Sequence, residues 1–111
     1  MDAVHSALQN AFKIKPSDKV VRLVKHSPDN FAGPNNLDKP ELYTYISIDA
    51  YSGRSVDAKR NLYKNIVRNL ESLDIPKDHV LILLRESPPE NWGIDGGQVA
   101  SEVNLGYRLD V

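Results

Sequence analysis

The chain has 111 residues, of which 41% are hydrophobic and 26% charged, with a formal net charge of −1 and no cysteine. These figures predict a single soluble globular domain, and the lack of cysteine excludes disulfides, thiol catalysis and thiolate metal sites. Because basic and acidic residues are interspersed, we expect no nucleic-acid partner and no attraction to an anionic membrane surface. No apolar run is long enough to span a bilayer, which favours a cytoplasmic location.

The first third of the chain predicts a helix, a strand and a loop. Apolar residues recur at helical spacing in residues 1–13, which predicts an amphipathic helix. A break follows at residues 15–18, and the apolar residues after it predict a strand over Val20–Lys25. Proline, glycine and polar residues then predict a turn and a loop up to Pro40.

The middle third predicts a strand, a tight turn and an amphipathic helix in immediate succession. Leu42–Asp49 alternates between two faces, one of them mainly aliphatic, as in a half-buried strand. Helical periodicity begins after Ser55, whose hydroxyl suits the N-cap position, and continues to Leu73. Arg54 therefore lies at the mouth of a helix N-terminus, where main-chain amides and a guanidinium together suit an anion.

The last third predicts one more strand and a loop-rich tail. The unbroken apolar run within His79–Glu86 predicts a strand that is buried on both faces. The sequence Asp95-Gly96-Gly97 predicts a turn. The remaining residues, Val103–Val111, predict a short strand or the arm of a hairpin.

Two parts of the chain repeat one another. We interpret them as copies of one unit made of a helix, a break, a strand and an aromatic turn. The second copy also has a strand and a turn before its helix, which makes it a β-α-β unit, whereas the first copy lacks this leading strand. The chain then divides into a truncated first half at 1–31, a loop at 32–41 and a second half with its tail at 42–111. The matching residues are Pro16, Asp18, Val20, Leu23, Ser27 and Pro28 with Pro76, Asp78, Val80, Leu83, Ser87 and Pro88.

The runs GRSVDAKRNLYKNIV and IPKDHVLILLRESPPENWGIDGGQVASE resemble the tautomerase superfamily. Within it they are most similar to the branch of two fused β-α-β halves that includes malonate semialdehyde decarboxylase. The resemblance implies an α+β fold with a mixed sheet, two helices on one face and assembly as a homotrimer, here with the first strand missing. It implies a keto-enol tautomerase, an isomerase without a cofactor, whose substrate is a small carboxylate such as a 2-oxo acid.

The resemblance also implies roles for particular residues. Arg54 matches an arginine that holds the substrate carboxylate, whereas Ser52 stands where malonate semialdehyde decarboxylase has a second arginine. Asp18 matches an aspartate close to the catalytic base. Trp92 matches an aromatic residue of the pocket wall, and Ile94 replaces a second aromatic residue there.

These residues also have purely structural interpretations, which the sequence leaves open. Arg54 is then a solvated arginine in a turn. Asp18 has Asp78 as its counterpart in the repeat, so both can serve turns between a helix and a strand. Trp92 corresponds to Phe31, so packing of a turn onto the core explains it as well.

The amino terminus departs from the family pattern. In the family an amino-terminal proline is the general base, because a secondary amine with a depressed pKa is uncharged at neutral pH. All seven prolines of this chain are internal, and Met1 precedes Asp2, so the chain as given lacks this catalytic base and is expected to be inactive in that form. In one interpretation the protein begins further upstream with Met-Pro. In the other the chain is a non-catalytic relative that binds small anions or a partner. In this second interpretation the absence of the first strand leaves unpaired edges on Val20–Lys25 and Leu42–Asp49.

A different class of protein also fits parts of the sequence. This runner-up is an unrelated helix-on-sheet homo-oligomer with a structural role, and it predicts no anion affinity at Arg54. Tyr43, Tyr45 and Tyr51 share a predicted strand without basic neighbours, so we expect a face between subunits there. The three histidines show no metal-binding spacing, and no metal site is predicted.

Overall fold

Two helices pack against two parallel strands in a computed structural model that describes residues 1–111. A short hairpin follows near the end of the chain, and five single-turn 3-10 helices lie in the connections. The main elements are α1 (Asp2–Phe12), β1 (Thr44–Tyr51), α2 (Val56–Glu71), β2 (Val80–Ser87), β3 (Gly93–Ile94) and β4 (Gln98–Val99).

The predicted β-α-β unit of β1, α2 and β2 is confirmed. The two strands pair in parallel over their whole length, and α2 connects them. Ser55 is the N-cap of α2, since its hydroxyl oxygen accepts a hydrogen bond from the Ala58 amide at 3.1 Å. Both helices cover the same face of the sheet, so the α+β architecture with two helices on one face is present.

The core lies between the helices and the inner face of the sheet. Leu62 and Ile66 on α2 have no exposed surface, and Phe12 at the end of α1 is 1% exposed. Burial of each such side chain contributes about 1.5–3 kcal/mol, so these residues hold the two helices together. The full cluster is Ala7, Ala11, Phe12, Ile48, Ala58, Leu62, Ile66 and Leu70.

The prediction that β2 is buried on both faces is wrong. Its inward residues Ile82 and Leu84 pack against the core, but Leu81 and Leu83 are 47% and 40% exposed. Successive strand residues point to opposite faces, and no helix of this chain covers the outer one. An apolar run therefore indicates that both faces of a strand are suited to burial. Burial also requires another segment that packs on each face.

Val20–Lys25 is not a strand, contrary to the prediction. No backbone hydrogen bond joins residues 19–26 to the rest of the chain, and Val20 is fully exposed. A strand is stable only beside a partner strand, and β1 pairs with β2 alone. The radius of gyration is 15.6 Å, against about 13 Å for a compact chain of similar length. Because β1 pairs only with β2, the other edge of β1 has no partner strand, as predicted.

The internal repeat is visible in two matching turns. Pro28–Asn30 and Pro89–Asn91 each form a single 3-10 turn, and the aromatic residue after each turn is extended. Equivalent hydrogen bonds close them, from the Asn30 amide to the Ser27 carbonyl oxygen and from the Asn91 amide to the Pro88 carbonyl oxygen, both 2.9 Å. The duplicated unit therefore persists in the backbone even though the strands differ.

The tail segment, Val103–Val111, is not a strand but keeps the alternation of one. Its odd-numbered residues are half-buried and its even-numbered residues are exposed. Its last carbonyl oxygen accepts a hydrogen bond from the Ser55 amide at 2.8 Å, which ties the tail to the start of α2. Neither helix combines the length and the hydropathy that a membrane span needs.

Candidate functional site

The candidate site lies at the carboxyl end of the two parallel strands. Arg54 follows β1, and Trp92 follows β2 after one 3-10 turn. The Ser52 amide donates to the Ser87 carbonyl oxygen at 2.9 Å and joins the two strand ends. In open parallel sheets ligands bind beyond these ends, where the connecting loops meet. The topology therefore brings two of the three predicted site residues to one edge.

Arg54 is a buried cation without an anionic partner. Only 7% of the residue is exposed, and its guanidinium carbon lies 4.6 Å from the centre of the Phe12 ring. Nη1 donates to the Tyr51 carbonyl oxygen at 2.8 Å, whereas Nε is buried and has no hydrogen-bond partner. The nearby Glu86 carboxylate is held by Lys59 at 2.6 Å. The interpretation as a solvated turn arginine is therefore wrong.

The environment of Arg54 favours binding of an anion. Burial lowers the pKa of the guanidinium, because a charge is less stable away from water. A buried polar group without a partner costs free energy until a ligand supplies one. The group also sits immediately before the N-terminus of α2, whose dipole adds positive potential. A carboxylate bound to the guanidinium would offset the buried charge and lie in the favourable potential of the helix N-terminus.

Trp92 and Tyr51 form one wall beside Arg54. The two rings meet edge to face with their centres 4.7 Å apart. The indole Nε1 donates to the Ser87 hydroxyl at 2.8 Å, which fixes the plane of the ring. Because the Tyr51 carbonyl oxygen also accepts the hydrogen bond from Arg54 Nη1, the two aromatic rings and the guanidinium form one connected group.

Asp18 lies in the turn after α1 and joins this group only indirectly. Its amide donates to the Lys15 carbonyl oxygen at 3.0 Å, as a turn residue would, and the side chain is exposed. Burial, and after it the charge of Asp18, raises the pKa of both Tyr107 and Tyr51. The carboxylate is therefore within electrostatic reach of both phenols, although it contacts neither Arg54 nor Trp92 through a hydrogen bond.

The sequence did not indicate three other residues of the site. Tyr51, at the end of β1, lies against Trp92. The Arg54 guanidinium lies over the Phe12 ring, and Tyr107, from the tail, interacts with the same guanidinium. The alternation of the tail marks Tyr107 as inward-facing, but no local pattern shows what it faces. No group of three or more His, Asp or Glu side chains has an arrangement that could hold a metal ion.

The two buried tyrosines predict an unusual alkaline titration. Two of the five tyrosines, Tyr51 and Tyr107, should ionise above the ordinary tyrosine pKa of about 10. In the unfolded chain both ionise near their ordinary pKa, so the unfolded state binds fewer protons above about pH 10 and the free energy of unfolding falls as pH rises. Absorbance at 295 nm measures the titration. Asp18→Asn should lower the Tyr107 midpoint, and an unchanged midpoint would place Asp18 away from the site.

A family profile and three solved structures show what this chain is similar to. A family profile described as tautomerase enzyme matches residues 18–95, which is more than half of the chain. A malonate semialdehyde decarboxylase inhibited by 3-bromopropiolate is 25% identical, with a TM-score of 0.71 over 88% of this chain and 77% of that one. A further structure of malonate semialdehyde decarboxylase is 24% identical, with a TM-score of 0.71 over 88% and 78%. A member of the cis-3-chloroacrylic acid dehalogenase family is 19% identical, with a TM-score of 0.61 over 89% and 68%.

Proposed function

Because this chain belongs to the tautomerase enzyme family, we propose that it is a keto-enol tautomerase acting on a small 2-oxo acid whose carboxylate binds Arg54. The observation that carries this proposal is the buried guanidinium whose Nε has no partner. A charged donor of this kind binds a carboxylate more strongly than a neutral donor would. The similar decarboxylase inhibited by 3-bromopropiolate, itself a three-carbon carboxylate, supports a ligand of this size.

The aromatic wall of Trp92 and Tyr51 offers a flat surface for the part of the substrate beyond its carboxylate. With the carboxylate at Arg54, a planar enol can lie along Trp92 and Tyr51, whose rings are held by each other and by Ser87. Flat apolar surface beside a fixed charge orients a small conjugated acid with little loss of freedom. The site therefore suits a 2-oxo acid better than an aliphatic carboxylate without a planar system.

Tautomerisation also requires a group that holds or moves a proton. Within residues 1–111 we assign this role to Asp18, the one carboxylate whose charge acts on both Tyr51 and Tyr107. A carboxylate can accept a proton from the substrate carbon or oxygen and return it to the other atom. The Asp18 side chain is exposed and forms no ion pair, so its oxygens are accessible to a substrate.

The test is conversion of the enol of phenylpyruvate to its keto form. We expect the chain to exceed the background rate, and Arg54→Ala to lower kcat/KM about 100-fold, since a charged hydrogen bond contributes about 1.5–3 kcal/mol. Asp18→Asn should lower kcat more than it raises KM. Rates equal to background for both the unaltered chain and Arg54→Ala would contradict the catalytic proposal.

The same buried cation supports a second candidate, a non-catalytic module that binds a small anion. In that case malonate binds at Arg54 but enol conversion stays at background. With either function we propose a homo-oligomer, with three subunits as the expected number. The exposed outer face of the sheet, which carries Tyr45, Leu81 and Leu83, offers the apolar surface for it. Light scattering gives the mass, and a monomer would contradict this part.

A further inference from the structure

We propose that Tyr107 is a second donor to the bound carboxylate, so that the Arg54 guanidinium and the Tyr107 phenol hold one anion together. This inference rests on the proposed function, because it requires that Arg54 binds a carboxylate. It names a residue that determines specificity and that lies in the irregular tail, outside both copies of the repeat. It also gives the site a second donor where Ser52 offers only a short hydroxyl.

The tail is anchored to the start of α2 on one side of Tyr107. The Val111 carbonyl oxygen accepts a hydrogen bond from the Ser55 amide at 2.8 Å. Gly53 has a φ of +130°, and a side chain there would come within 3.3 Å of Leu109 Cβ and 3.2 Å of the Leu109 carbonyl oxygen. The turn that carries Arg54 and the tail are therefore in close contact, and any residue larger than glycine would force them apart.

On its other side, Tyr107 is anchored to the turn that contains Asp18. Gly106 has a φ of +82°, and a side chain there would come within 3.2 Å of Lys15 Cδ. The Gly106 amide donates to Asn104 Oδ1 at 2.9 Å and sets the bend just before Tyr107. Residues 15–18 form one turn, so the tail runs from the turn that contains Asp18 to the turn that contains Arg54. Tyr107 lies between these two contacts.

The chemistry of Tyr107 at this place is that of a donor. Its side chain is half-buried, and its phenol interacts electrostatically with the Arg54 guanidinium and with the Asp18 carboxylate, to which the hydroxyl can donate a hydrogen bond when no anion is bound. Burial and the nearby negative charge raise its pKa, so the hydroxyl keeps its proton throughout the neutral range. A neutral O–H that points at a carboxylate forms a short, charge-assisted bond. Guanidinium and phenol then approach the anion from separate segments of the chain.

Malonate binding tests this inference, with fluorescence of the single tryptophan, Trp92, as the signal. We expect Tyr107→Phe to raise the Kd about tenfold, the loss of one hydrogen bond to a charged group. Tyr45→Phe is the matched control, since Tyr45 is 46% exposed on the outer face of the sheet and should leave the Kd unchanged. Far-UV circular dichroism establishes that each variant is folded.

A pH profile separates a donor from a residue that only packs. Once Tyr107 ionises, a phenolate repels the carboxylate, so malonate affinity of the unaltered chain should fall steeply above about pH 10, where tyrosines ionise. This fall should be smaller in Tyr107→Phe and unchanged in Tyr45→Phe. A purely structural role predicts the same profile for all three proteins.

The outcomes distinguish this inference from the function on which it rests. If Tyr107→Phe binds malonate as tightly as Tyr45→Phe while Arg54→Met does not bind, the role of Tyr107 is wrong and the carboxylate site stands. If Arg54→Met also binds normally, the proposed function fails first. Should Tyr107→Phe fail to fold, the pH profile of the unaltered chain remains decisive, because a flat profile would overturn the inference.

Discussion

Replacing Arg54 with methionine is expected to weaken malonate binding at least 100-fold while the free energy of unfolding stays unchanged or rises. Binding is lost because the guanidinium is the buried cation of the site. The free energy of unfolding is not expected to fall, because a buried charge without an anionic partner costs desolvation free energy that no ion pair offsets. Methionine has a similar length and can rest on the Phe12 ring through its sulfur.

The opposite signs of the two effects make this experiment informative. An arginine selected for folding would lower both stability and binding when replaced, whereas one held for a ligand lowers binding alone. Arg60→Met is the control, since Arg60 lies on the exposed face of α2 and pairs only with Asp57. Titration calorimetry measures the affinity, and urea unfolding measures the stability. A loss of several kcal/mol in Arg54→Met would make Arg54 a structural residue.

Replacing Leu62 with alanine should lower the free energy of unfolding by about 2–5 kcal/mol, the usual cost of a cavity at a fully buried leucine. Leu62 has no exposed surface and lies at the centre of the cluster between α1, α2 and β1. Domains of this size have only about 5–15 kcal/mol of stability in total. The open edge of β1 and the unpaired segment at 19–26 add nothing to that total, so we expect a severe effect.

A matched variant of the same chain controls this measurement. Leu73→Ala makes the same chemical change in the turn after α2, where the side chain is 61% exposed, and should alter stability by less than about 0.5 kcal/mol. Urea unfolding followed by the fluorescence of Trp92 gives both values. Equal losses in the two variants would mean that the core does not lie between the helices and the sheet.

The helices, the β-α-β unit and the turns could be predicted because each depends on neighbours in the sequence. The periodicity of α1 and α2 gave their extent to within two residues at each end. Ser55 is the N-cap and Asp95-Gly96-Gly97 is the hairpin turn, with positive φ at all three positions, because these conformations suit those residue types locally.

The site could be predicted only where local structure creates it. Arg54 was found because a helix N-terminus is visible in the sequence, and that position places it at the carboxyl end of β1. Trp92 was found through the resemblance, while its contact with Tyr51 depends on how the hairpin folds back. Tyr107 carries no local signal, since the residues beside it, Gly106 and Leu109, lie against Lys15 and Gly53, which are far away in the chain.

The sequence alone thus determined the family, the two helices, the β-α-β unit and the cation of the candidate site, since these follow from periodicity, capping and motif. Only the tertiary structure decided which surfaces have partners. Val20–Lys25 and the outer face of β2 have the composition of buried strands, but they are exposed because no other segment lies beside them. Burial is a property of two surfaces in contact, and a sequence pattern describes only one of them.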